Sequence, residues 1–218
     1  MKYLPIIFLS ILTLSCGQKQ GSEKASKEKD KLPILGNKHV EQSEGSMDMD
    51  TVYHTIPEFS FMDQDSSMIT NETLSDQIYV SDFFFTSCPT ICPTMKAQML
   101  RVYEKYNDNS EVAILSHTID PEYDDVERLN KFANQLGVSS DKWHFVTGEK
   151  DDIYEIGMKG YLVTAGEDET APGGFIHSGA FILVDKKGRI RGLYDGTVEA
   201  DVNELMSDIE VLLREYNS

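Results

Sequence analysis

The chain has 218 residues, 40% of them hydrophobic and 10% aromatic, enough apolar surface for one packed core that needs no disulfide staples. Its 37 acidic against 20 basic residues give a formal charge of -17. That balance excludes nucleic acid as a partner and suits a solvated surface or a basic protein partner.

Residues 1–15 read as an export signal. Lys2 is a minimal positive region, and Leu4 to Leu14 is an apolar run too short to span a bilayer. Ser15-Cys16-Gly17 follows at once and resembles the lipobox of bacterial lipoproteins, whose cysteine becomes the acylated N-terminus, although Thr13 stands where a Leu is usual. Acylation of Cys16 implies a lipid-anchored protein on the extracytoplasmic, periplasmic side of a bacterial membrane. It also leaves Cys88 and Cys92 as one pair out of three cysteines. An ordinary cleaved signal followed by a chance cysteine is the competing reading. Gly17 to Asp50 holds no Phe, Tyr or Trp, so residues 16–50 read as a flexible tether with a reach of roughly 30 Å. Leu32-Pro33-Ile34-Leu35 is the part of it expected to dock on the folded domain, which is placed at 51–218.

Within that domain, Glu58 to Met62 and Ser67 to Thr70 flank a polar turn and read as a hairpin. Ile78 to Thr86 is a β-rich run that suits a strand buried on both faces. Met95, Met99, Val102, Tyr103 and Tyr106 then recur at helical spacing with Pro93 near the helix start, a stripe expected to pack in the core. A strand over Glu111 to Ile119 and a helix over Asp124 to Leu136 capped by Gly137 come next. His144 to Val146 reads as a short strand, Asp151 to Met158 as a short helix, and Tyr161 to Ile176 as a Gly/Pro-containing loop. Ala180 to Val184 and Arg189 to Tyr194 form a second hairpin around Asp185-Lys186-Lys187-Gly188. An amphipathic helix carrying Val202, Leu205, Ile209, Leu212 and Leu213 ends the chain. Strands alternating with helices argue for an α/β domain, a mixed sheet covered on both faces.

Cys88 directly follows the buried strand and Cys92 lies four residues on. A helix starting here sets both thiols at its N-terminus, where unpaired N–H groups and the helix dipole favour thiolate, the nucleophilic and metal-binding form. The pair alone leaves open redox chemistry, metal binding or a staple of the turn, and a bridge over so short a loop stabilises little.

Phe83 to Pro93, Phe-Phe-Phe-Thr-Ser-Cys-Pro-Thr-Ile-Cys-Pro, resembles the F-x-F-T-x-C-P-x-x-C-P signature of the Sco/SenC proteins. Ile56-Pro57-Glu58-Phe59, Thr118-Ile119-Asp120-Pro121, and His177-Ser178 followed by Phe181 to Asp185 extend the resemblance from about Tyr53 to the C-terminus. It implies a thioredoxin-like fold with an N-terminal β-hairpin extension. It also implies a copper-binding chaperone of cytochrome c oxidase assembly that delivers copper to the dinuclear site of the oxidase's copper-site subunit. In the family two cysteines and a histidine bind the metal, which carries over to Cys88, Cys92 and His177, 85 residues after Cys92. Two thiolates with an imidazole suit both Cu(I) and Cu(II).

Asp82, six residues before Cys88, is an acid inside an apolar strand, costly unless it has a partner or a function. Thioredoxins similarly place a buried Asp six residues before their first redox cysteine, which makes Asp82 a candidate acceptor of the Cys92 proton. His39, His54, His117 and His144 read as structural or tether residues. Two other functions use the same pair. A thiol-disulfide oxidoreductase that reduces the recipient's cysteines needs only Cys88 and Cys92. A thiol peroxidase is disfavoured, because Phe85 stands where such enzymes place a Thr, three residues before the attacking cysteine.

Overall fold

A computed structural model describes residues 31–42, 49–168, 170–171 and 173–217, with the side chain of His177 left outside the description. The residues expected to form an export signal, Cys16 and Pro172 also lie outside the described residues. The chain is already packed at Leu32, which is 4% exposed and belongs to the main core. Leu35 N–H donates to the Ile190 carbonyl at 2.8 Å. Strands β1 (Lys38–Gln42) and β2 (Met49–Tyr53) then pair antiparallel as an exposed hairpin. The boundary expected at residue 51 therefore cuts through this hairpin, and part of the supposed tether is ordered. Composition missed it because backbone pairing needs no aromatic residues.

Strands β3 (Ser60–Asp63) and β4 (Met68–Thr70) form the expected hairpin. Asp63 Oδ1 holds its turn by accepting the N–H groups of Asp65 and Ser67, both at 2.9 Å. Strand β5 (Ile78–Phe84) is buried along its whole length. Helix α1 (Cys92–Tyr106) follows, with Pro93 in its first turn where a missing N–H costs nothing, and it buries Met95, Met99, Val102 and Tyr106. The methionine stripe is core, as expected from its spacing. Strand β6 (Val112–Thr118) leads to α2 (Val126–Leu136). Asp125 caps α2 by accepting the Arg128 N–H, and Gly137 ends it at φ 72°, a conformation that favours glycine.

Strand β7 (Trp143–Thr147) precedes α3 (Lys150–Glu155), which runs on as one π-helical turn over Ile156–Gly160. Residues 161–176, expected to be irregular, carry β8 (Ala165–Glu167), which pairs with β9 (Phe175–His177) in a small separate hairpin. Gly173 and Gly174 turn its connection at φ 86° and 83°, a signal that reads as loop when no strand flanks it clearly. Strands β10 (Ala180–Val184) and β11 (Ile190–Asp195) and helix α4 (Glu199–Tyr216) complete the domain.

The main sheet has seven strands in the order β11-β10-β5-β6-β7-β3-β4. Its centre, β5-β6-β7, is parallel and the flanking strands are antiparallel. Helices α1 and α4 bury Met99, Val102, Leu205 and Ile209 against one face. Ile153, Ile156 and Tyr161 cover the other, against Tyr79, Phe83 and Leu115. Among the described residues no helix is long and apolar enough to cross a membrane. This mixed sheet covered on both faces is the thioredoxin-like arrangement, with β3–β4 as its hairpin extension. Its geometry fixes the site: in such sheets ligands gather outside the carboxyl ends of the parallel strands, where β5 delivers the chain to Cys88.

Candidate metal and thiol site

The β5 chain leaves the sheet at Phe85, whose carbonyl accepts the Cys88 N–H at 3.2 Å. Cys92 is the first residue of α1, so the two cysteines flank a tight turn at the helix N-terminus; both are unbridged and half-buried. Buried Asp124, expected only as the first residue of a helix and not as part of the site, clamps this turn. Its carboxylate accepts the Thr86 N–H at 2.9 Å, the Thr86 hydroxyl, and the Thr118 hydroxyl at 2.7 Å. The end of β5 is thereby tied to the end of β6. The only hint in the sequence is Asp124 lying beyond Thr118-Ile119-Asp120-Pro121, and helical periodicity had assigned it to α2 instead.

The thiols differ in acidity. Burial pushes the Cys88 thiol up, but hydrogen bonds from the Cys92 thiol, from the backbone N–H groups of Thr90 and Cys92 and from the Thr90 hydroxyl outweigh it and bring it below the ordinary value. Cys92 is pushed well up, first by burial, then by donating to Cys88 and by the charge on Cys88; the Asp82 carboxylate adds to this and a backbone hydrogen bond from Phe85 opposes it. Cys88 is thus the more acidic thiol and Cys92 the one that holds its proton longer. Iodoacetamide added to the reduced protein near neutral pH should alkylate Cys88 at least about tenfold faster than Cys92. Equal or reversed labelling in a peptide map would overturn this assignment.

Asp82 lies where the sequence placed it, 5% exposed on β5. Burial raises its carboxyl to about 7, against the opposing hydrogen bond from Ser116. Ser116 donates to Asp82 Oδ1 and itself accepts the indole N–H of Trp143 at 2.8 Å. Asp82, Ser116, Trp143, Cys88 and Cys92 line one cavity of about 40 Å³, room for a water molecule. Pairing of β5 with β6 sets Asp82 opposite Ser116, a partner that cross-strand register reveals and linear sequence does not.

His177 ends β9, its backbone opposite Ala165. The 173–179 segment runs along the cysteine turn. A Cβ on Gly173 would lie 3.2 Å from Pro89 and 3.0 Å from the Phe85 ring, and one on Gly179 would lie 3.7 Å from Ile91. Phe175 packs on Phe85 with ring centroids 5.0 Å apart. His177 is therefore carried on backbone that touches residues on both sides of Cys88.

The remaining histidines have structural partners. His54 Nε2 donates to the Gly160 carbonyl at 2.7 Å, and His39 lies 2.7 Å from Glu41 in the exposed hairpin. His144 Nδ1 meets Asp63 at 3.0 Å. His117, fully buried, is held neutral by burial, which lowers its pKa to about 3. It sits 3.3 Å from Ser81 Oγ, stacks on Phe83 and meets the edge of Phe61.

A thioredoxin-like sheet with an unequal thiol pair at the first turn of a helix, and a histidine-bearing hairpin beside it, is an arrangement suited to thiol or soft-metal chemistry. The SCO1/SenC family model matches residues 47–214, and the chain belongs to that family. It is 32% identical over 172 residues to a SCO1 protein homologue of Bacillus subtilis, covering 76% of this chain and 86% of the relative. Among solved structures it resembles a SCO1/SenC family lipoprotein of Bacillus anthracis, with a TM-score of 0.67, 26% identity, and coverage of 73% and 95% of the two chains. It also resembles BsSco, described as a member of the Sco family of cytochrome c oxidase assembly proteins with a disulfide switch. That match has a TM-score of 0.64 and 31% identity, and covers 72% and 92% of the two chains.

Proposed function

We propose that this protein binds copper through Cys88, Cys92 and His177 and delivers it to the dinuclear copper site of a cytochrome c oxidase, held at the outer face of a bacterial membrane by a lipid on Cys16. The observation that carries the reading is the unbridged thiol pair sharing a hydrogen bond at the start of α1. Two sulfur donors suit Cu(I), and an imidazole extends the set to Cu(II). His177 is a separate element's contribution, so the third donor can join or leave without disturbing the two sulfurs. A relative from Stutzerimonas stutzeri, 26% identical over 140 residues, is named a putative copper-binding protein, which supports the metal. The lipoprotein description of the Bacillus anthracis structure supports the anchor.

The unequal acidity of the thiols favours a second reading, reduction of a partner's disulfide. The Cys88 thiolate attacks the partner's disulfide and one partner sulfur leaves as thiolate. Cys92, its proton passing to Asp82, then attacks the Cys88 sulfur, forming the Cys88–Cys92 disulfide and releasing the second partner sulfur. The partner gains two electrons and the pair loses two.

Copper stoichiometry on the reduced protein tests both. One ion per chain is expected, lost in Cys88→Ser and Cys92→Ser. In His177→Ala copper affinity falls while reduction of a small disulfide persists. No copper binding by the unaltered protein would leave disulfide reduction as the function.

A further inference from the structure

The β3–β4 hairpin turns alternate residues to opposite faces. Phe61 and Ile69 enter the core, whereas Met62 and Met68, directly opposite each other across the two strands, point outward and are 39% and 49% exposed. The Asp63 N–H donates to the Ser67 carbonyl at 2.9 Å, which makes Asp63–Ser67 a hydrogen-bonded position of the ladder and the next pair, Met62–Met68, a non-hydrogen-bonded one. Side chains lie closest at such a pair, with Cβ atoms about 4.5–5.5 Å apart. The backbone beneath them is tied to two neighbours. In the turn, the Gln64 side chain donates to the Trp143 carbonyl and accepts the Phe145 N–H, both at 2.7 Å. From α2, the Asn130 side chain donates to the Gln64 carbonyl at 3.2 Å and to Asp65 at 2.8 Å. Two flexible thioethers thus stand side by side on a fixed frame. β4 is also an edge strand, where exposed apolar side chains are a liability and charged ones the usual protection. Packing explains Met95 and Met99, which are buried in α1, but not this pair.

We propose that Met62 and Met68 form a second soft-metal site, which holds a monovalent ion of the Cu(I) class between two thioether sulfurs. Each side chain turns about three bonds, so both sulfurs reach one ion without movement of the strands. Thioether sulfur selects Cu(I) over hard cations, and the net charge of -17 adds attraction for any cation. Met62 pairs with Thr147 at the carboxyl end of β7, the end of the sheet at which β5 leads to Cys88. β3 nevertheless lies three strands from β5, roughly 14 Å away, so the methionines and the cysteines do not share an ion. Neutral sulfurs attract a cation less than thiolates do, and the pair therefore fills after any thiolate site. A thioether carries no proton, so the pair keeps its ion at a pH where thiols and imidazoles are protonated.

The test uses Ag(I), a redox-inert ion of that class, on the full chain with Cys16→Ser, Cys88→Ser and Cys92→Ser combined, and follows the methionine ε-methyl resonances. One equivalent should shift Met62 and Met68 together, before the exposed Met158 responds. Met62→Leu and Met68→Leu should each lower the affinity by about tenfold or more, because a second donor on the same frame acts at high effective concentration. Leu is close to Met in volume, and an unchanged urea midpoint shows that each variant is folded. Affinity should change by less than about twofold between about pH 7.5 and 5.5. Met62 and Met68 responding at the same Ag(I) level as Met158, unchanged affinity in either single variant, or a fall with pH that points to an imidazole would overturn the proposal. Because this chain lacks its cysteines, the result is independent of whether Cys88 and Cys92 bind copper.

Discussion

Replacing Asp82 with Asn should raise the stability of the reduced protein by about 4 kcal/mol at pH 8 and change it little at pH 4. The carboxyl is buried in β5 and its pKa is raised from 3.8 to about 7. A raised folded-state pKa means that the native protein holds the proton after the unfolded chain has lost it. The stability associated with the neutral acid is therefore full below pH 3.8, erodes between about 4 and 7, and is lost above 7. Three units of difference correspond to roughly 4 kcal/mol at about 1.4 kcal/mol each. Asn keeps an oxygen to accept from Ser116 and carries no charge. Urea unfolding at the two pH values, under a reductant that keeps Cys88 and Cys92 open, measures the difference. Equal midpoints at pH 8, or a gain that persists at pH 4, would show that the site does not strain this carboxylate. An ionised Asp82 thus lowers stability at neutral pH, a cost consistent with the proton transfer from Cys92 proposed above.

Asp82 also shows what the sequence could reveal. A charge inside a run otherwise made of Ile, Tyr, Val, Phe and one Ser stands out by position alone, as do Cys88 and Cys92 just beyond the strand end. The strands and helices that carry them were legible because each has a strong period: β5 and β6 are buried throughout, and α1, α2 and α4 each present one apolar face. What could not be read depends on pairings between distant residues. Ser116 and Trp143 reach Asp82 only because β6 lies between β5 and β7. Asp124 reaches Thr86 across 38 residues of chain. The β8–β9 hairpin has just three residues per strand, too few for alternation to register against the surrounding glycines. The β1–β2 hairpin is exposed on every residue, so it lacks the hydrophobic pattern on which strand recognition relies.

The ordered stretch ahead of that hairpin leads to the second large effect, because a buried arginine holds it. Arg191 on β11 is 1% exposed and donates to the carbonyls of Leu32 at 2.7 Å and Pro33 at 2.9 Å, to Asp185 at 2.9 Å and to Glu215 at 2.8 Å. Arg191→Leu leaves Glu215, the buried Leu32 carbonyl and the Pro33 carbonyl without that donor and should cost about 3–5 kcal/mol, the range for breaking a buried pair from one side. Arg189→Leu should cost less, about 1 kcal/mol, since Arg189 is more exposed and Asp185 keeps Arg191 and its turn N–H groups. The pH dependence follows from Asp185. Burial raises its carboxyl, but hydrogen bonds from Arg189, Arg191 and the turn outweigh this and hold it below 3.8. Its contribution is therefore present above pH 3.8 and disappears as pH falls through the lower folded value, so the cost of Arg191→Leu should shrink in strong acid. Release of the strap has its own readout: trypsin should cut at Lys31 or Lys38 faster in Arg191→Leu than in Arg189→Leu. Both lysines are exposed, and only the strap between them gains or loses protection. Equal cleavage in the two variants would mean that Arg191 stabilises the β11–α4 junction alone. Ile190 and Arg191 lie at the end of β11 remote from Ala180 and His177, since Val184 pairs with Ile190 and with Tyr79 near the start of β5. The strap is thus fixed at the end of the sheet opposite Cys88 and Cys92, and its release should leave the alkylation rate of Cys88 unchanged.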